Sequence, residues 1–160
     1  MSPRLHVLSG FIRSELQDLA HSVNRVVALH AKAVRIGDLD YLDGVALNLH
    51  GFYMGVEGVF TRIARDLDQT VPDDPQWHIT LLTQMATPVG EIRPPVIRGE
   101  TRRCLDKFRG FRHVVRNVYT FNLAPSKIDE LVQDLPSCHG KVVTDLEVFC
   151  DFLDLQGEGL

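Results

Sequence analysis

The chain has 160 residues, 44% hydrophobic and 24% charged, with a formal net charge of −4. That length is one ordinary domain, able to bury about two thirds of its unfolded surface without disulfide or metal staples. The composition excludes disordered and collagen-like classes, and the acidic balance argues against a general nucleic-acid coat protein. No apolar run reaches the ~18 residues of a membrane span, and no signal peptide is visible, so a cytoplasmic protein without membrane association is expected. Cys104, Cys138 and Cys150 are odd in number, lack CxxC spacing and sit among apolar neighbours, which predicts buried, reduced thiols.

From Pro3 to Ile36 the apolar positions Leu5, Leu8, Ile12, Leu16, Leu19, Val23 and Val26 recur every three or four residues. This predicts one long helix, with Pro3 in its first turn and Gly37-Asp38 as a stop and a fresh cap. A second long helix is expected from Leu39 to Asp68. Its glycines Gly44, Gly51, Gly55 and Gly58 cost up to ~1 kcal/mol each in helix propensity, which predicts a close approach to a neighbouring helix or subunit. Val71 to Pro75 is a connector, and Gln76 to Met85 a short helix with Trp77, Leu81, Leu82 and Met85 on one side. The proline-rich stretch Thr87 to Pro95 should be irregular. A third long helix runs from Gly99 to Tyr119 or Phe121, and a last one from Ser126 to Leu153, which Pro136 and Gly140 should kink or split. The expected fold is all-α: an antiparallel four-helix bundle with an additional short helix. One domain spans residues 1–155, and 156–160 form a short tail.

Charge is distributed unevenly. Arg98, Arg102, Arg103, Lys107, Arg109, Arg112 and Arg116 crowd one segment, while acids dominate the stretch after Ser126. At 100° per residue, Arg98, Arg102, Arg109, Arg112 and Arg116 fall within an arc of about 80°, opposite Phe108, Phe111, Val114 and Val118. Such a stripe is either a solvated face or a phosphate track, and the planar fork of arginine suits the second.

At its end stands Phe111-Arg112-His113-Val114-Val115-Arg116-Asn117-Val118-Tyr119. This run resembles the R-x4-H-x-Y signature of HEPN-type ribonuclease toxins, the HepT-like group in particular. Leu49-His50-Gly51-Phe52-Tyr53-Met54-Gly55-Val56-Glu57, Trp77-His78 with Leu81, Leu82 and Met85, and Arg93-Pro94 match the same pattern in order, so the resemblance covers about residues 40 to 153. It implies a HEPN-like helical homodimer that cleaves RNA, tRNA or mRNA, without metal. It also implies a nucleotidyltransferase antitoxin as partner, which uses ATP to place AMP on the motif tyrosine; the chain itself needs no cofactor. Arg112 takes the motif arginine and Tyr119 the modified tyrosine.

The histidine position is Asn117, which cannot titrate. Three readings stand side by side: a weak or dead natural member, proton transfer by His113 instead, or a substitution introduced because an active toxin is hard to produce. Arg109, Arg116 and Arg102 are expected to bind RNA phosphate. His50, Tyr53 and Glu57 share a helix face, giving Glu57 and His50 as supporting groups or polar contacts between helices. His78 reads as structural, capping a helix or bonding a carbonyl. No metal-ligand spacing is present. The rival functions are an inactive scaffold for the transferase and a ligand-binding bundle unrelated to RNA.

Overall fold

In the computed structural model the described residues are 1–38, 40–117 and 124–160, with no side chains described from 113 to 117. Among the described residues five α-helices form: α1 (Pro3–Ile36), α2 (Asp40–Ile63), the short α3 (Trp77–Met85), α4 (Gly99–Asn117) and α5 (Pro125–Glu158). No strand forms among the described residues; Val89 and Arg93 make one isolated bridge. The expected all-α bundle is observed.

The largest packing faces join α1 to α2 and α1 to α5. Both pairs run antiparallel, as residue pairings show: Gly55 meets Leu19 and Gly44 meets Leu29, while Arg13 binds Asp154 and His30 binds Asp129. The heptad-like apolar stripe of α1 is buried as its spacing predicts, with Ile12, Leu19 and Val26 almost inaccessible. The glycine expectation divides in two. A Cβ on Gly55 would stand 2.8 Å from Leu19 and one on Gly44 3.3 Å from Leu29, so these two glycines admit α1. Gly51 and Gly58 face open space, where a Cβ would meet nothing within 4 Å.

Four details depart from the sequence expectation. α2 does not continue regularly to Asp68: its end is a π-helical turn, Ala64–Asp68, closed by Gln69 in a left-handed conformation at φ 55°. α5 is neither split nor ended at Leu153. It passes Pro136 and runs to Glu158, placing residues 156–158 in the helix. Packing along α1 and α4 outweighs the single backbone hydrogen bond that Pro136 forgoes. Gly157 is buried there, and its carbonyl accepts from the Ser2 amide at 2.6 Å. Finally, Cys104 and Cys138 form a disulfide between α4 and α5, so only Cys150 is a free, buried thiol as expected. Helical spacing alone cannot report that two cysteines 34 residues apart face each other.

The irregular stretch before α4 is held by charge. Arg93 and Asp68 are buried and pair through two bonds, Nε to Oδ1 at 2.6 Å and Nη2 to Oδ2 at 2.8 Å. Arg93 also donates to the carbonyls of Thr87, Pro94 and Gln84. A bidentate fork with every remaining donor satisfied is the arrangement in which a buried ion pair is tolerated. It ties the π turn to the connector and fixes where α4 begins.

Candidate functional site

α4 carries the basic stripe, and its cations are mostly paired. Arg98 donates Nε–H to Asp145 of α5 at 2.6 Å and reaches Glu100 at 2.7 Å. Arg109 donates to Asp106 at 2.7 Å, and Lys107 reaches Asp134 of α5 at 3.2 Å. The acids of the C-terminal segment thus neutralise part of α4 within the fold. Arg98, Arg109 and Arg112 of the expected track each have a side-chain partner within the fold. Arg102 is half-buried. The side chains of His113, Arg116 and Asn117 lie outside the described residues, as does Tyr119 altogether.

Arg112 is the exception to the solvated-face picture, being only 8% exposed. Its guanidinium enters a cluster drawn from three helices. Nη1 lies 3.0 Å from His78 Nε2 on α3, and Nε donates to Met54 Sδ at 3.1 Å and lies 3.6 Å from Glu57 Oε1 on α2. Glu57, 4% exposed, accepts from His78 at Oε2, with Nδ1 2.8 Å away. The Trp77 ring stacks at a tilt on the His78 imidazole, centroids 3.4 Å apart, and Arg112 Cζ stands 5.8 Å from the indole centroid.

The donor inventory fixes the proton arrangement. Arginine can only donate, so the His78 Nε2 that faces it accepts. Nδ1 then carries the hydrogen and donates to the Glu57 carboxylate. Glu57 therefore does two jobs: it orients the imidazole and offsets the arginine charge. A buried guanidinium without such a counter-charge would be severely destabilising. Tyr53, on the same stretch of α2, is fully buried; burial pushes its phenol well above the ordinary value, and the charge of Glu57 pushes it further. It stays a neutral hydroxyl.

His78 is not the helix cap or carbonyl partner expected from sequence. It bridges Glu57 and Arg112, and its neighbour Trp77 covers the bridge. What sequence reading missed is that α3, brought in by the connector, lays the Trp77-His78 pair over α2 and α4. The only sequence sign was that these residues stood within the matched pattern. Glu57 joins the cluster through His78 of α3 and Arg112 of α4. His50 stands two helical turns earlier on α2, about 10 Å along the axis.

A groove of about 430 Å³ opens beside the cluster, sharing Met54, Glu57 and Trp77 with it. Arg62 and Arg65 also line it, brought there by the end of α2 and the π turn.

The described residues thus form an all-helical bundle in which a buried arginine near the end of the basic helix is clamped by a glutamate–histidine pair. The model of the HepT-like proteins matches residues 44–153, more than half of the chain; the chain belongs to this family of HEPN toxin-like proteins. No curated protein and no solved structure matches it.

Proposed function

We propose that this chain is a metal-independent endoribonuclease, the toxin of a pair whose antitoxin is a nucleotidyltransferase. The observation that carries the reading is the condition of Arg112, a clamped cation beside a groove. RNA cleavage of this type removes the 2′-OH proton, forms a 2′-O–P bond and breaks the P–O5′ bond, and the departing 5′ oxygen takes up a proton. Arg112 supplies the cation at the crowded phosphorus. His78 supplies an imidazole that Glu57 orients, with an Nε2 lone pair available once phosphate draws Arg112 to itself. Asn117 orients phosphate or water, while Arg116, Arg109 and Arg102 extend the phosphate contacts along α4. His113 is the alternative proton carrier on α4.

A second copy of the chain completes the assembly in this reading. Support comes from α2, where Leu47 is 66% exposed next to Gly51 and its open Cβ position. Tyr119 follows Arg112 by seven residues in the sequence and is the proposed AMP acceptor; the attached phosphate would then compete with RNA for the same arginines.

The test is cleavage of RNA in EDTA by the unsubstituted protein, Asn117→His, Arg112→Lys and His78→Ala. Asn117→His raises the rate by about 10²–10⁴-fold, the usual worth of a general acid–base group. Arg112→Lys keeps the charge, loses the planar fork and reduces cleavage sharply. Imidazole added to His78→Ala restores activity if His78 moves the proton. Were neither the unsubstituted protein nor Asn117→His to cut RNA, the transferase-binding scaffold would be the better reading. AMP transfer is read by mass: incubation with the cognate transferase and ATP adds AMP increments that Tyr119→Phe does not accept.

A further inference from the structure

The groove beside the arginine cluster has the chemistry of a base-binding site. Its wall includes Trp77 and Phe11, two aromatic rings from different helices. Glu57, whose carboxylate bonds His78, also lines the groove. Its rim carries two arginines, and both touch Asp66 of the π turn. Arg62 bonds Asp66 and lies over the Phe11 ring at 4.7 Å from the centroid. Arg65 donates Nε–H to Asp66 at 3.0 Å, and its side chain is 61% exposed. The π turn matters here because it rotates Arg65 and Asp66 out of regular α register, and such turns concentrate at functional sites.

We infer that this groove binds one unpaired nucleobase of an RNA strand, stacked against Trp77 with its phosphate at Arg62 and Arg65. The size suits a single small ligand, since binding clefts begin near 300 Å³. Single-stranded RNA is recognised in this manner, by bases laid on aromatic rings and backbone held by cations. Because Met54, Glu57 and Trp77 belong to both the groove and the Arg112 cluster, a base seated here brings a flanking phosphate toward Arg112. The inference rests on the ribonuclease reading for its ligand, yet it is tested by binding alone.

Trp77 is the single tryptophan of the chain, so its emission reports the groove directly. The full chain is titrated in EDTA at low salt with a short unstructured RNA, an abasic strand of the same length and free 5′-AMP, with anisotropy of labelled strands measured in parallel. The RNA quenches Trp77, and the abasic strand binds about tenfold or more weakly without quenching. Gly58→Leu fills the groove from a position where a Cβ meets nothing within 4 Å. This variant folds, keeps its emission and loses the quench; Arg65→Glu weakens binding with it. RNA binding that leaves Trp77 emission unchanged, or survives Gly58→Leu unweakened, overturns the base site while the RNA reading stands. Tighter saturation by 5′-AMP than by RNA overturns the RNA assignment in favour of a free nucleotide. Absence of any RNA binding overturns both readings together.

Discussion

Glu57 shows how one residue can serve stability and chemistry at once. Its carboxylate faces the His78 imidazole and the Arg112 guanidinium in a nearly dry setting. Removing one member of such a set leaves a buried charge unmatched, at a cost of about 3–5 kcal/mol. Glu57→Leu should therefore lower the denaturant midpoint strongly, whereas the double variant Glu57→Leu/Arg112→Met should recover most of the loss. Chemical denaturation of the three proteins checks this, and equal losses in single and double variants would show that the charges do not interact. A different residue governs acid sensitivity. His139 lies edge-on to Phe52 at 6.2 Å, its Nε2 is without a hydrogen-bond partner among the described residues, and burial lowers its pKa. A depressed folded value means that the unfolded chain binds the proton first. Stability from this group is present above about pH 6.5, the unfolded value, and is lost as pH falls through the folded value. Melting curves at pH 7.5 and 5.5 should separate for the natural chain and draw closer together in His139→Gln.

At the scale of elements, α4 is positioned from both sides. Arg98 and Thr101 near its start bind Asp145 of α5, and the Cys104–Cys138 disulfide fastens it one turn later. A cross-link closing a loop of this length contributes up to about 4 kcal/mol in the chain-entropy account. Cys104→Ser should lower the melting temperature, and reductant should lower that of the natural chain to a similar value. The Arg93–Asp68 clasp sets the other approach; Arg93→Ala should cost about 3–5 kcal/mol because Asp68 stays buried. Periodicity made the helices legible because burial obeys the 3.6-residue repeat wherever a helix has one apolar side, as α1 does. It could not place the π turn, since Ala64 to Asp68 carries no pattern distinct from α-helix. Nor could it expose the clasp, the disulfide or the role of His78. Each depends on residues 20 to 35 positions apart meeting across elements, and pairwise contact leaves no mark in local spacing. The pairing of the stripe was hidden for the same reason: Arg98 meets Asp145 of α5 and Arg112 meets Glu57 of α2, both on other helices.

Across the whole molecule, α1 packs against both α2 and α5. α1 and α5, of 34 residues each, lie antiparallel against one another. Their meeting point has a consequence for chain connectivity. The Ser2 amide bonds the Gly157 carbonyl, the His6 ring packs where a Gly157 Cβ would be, and Gly159 lies beside the Met1 nitrogen. The two chain ends are therefore neighbours, and the order in which the helices are threaded is separable from their packing. A circular permutant joining Leu160 to Met1 through a few glycines and serines, and opened in the connector near Asp73, should fold to the same helical content and melt within a few degrees of the natural chain. Circular dichroism measures this, and a molten permutant would show that α1 must be the leading strand of the topology.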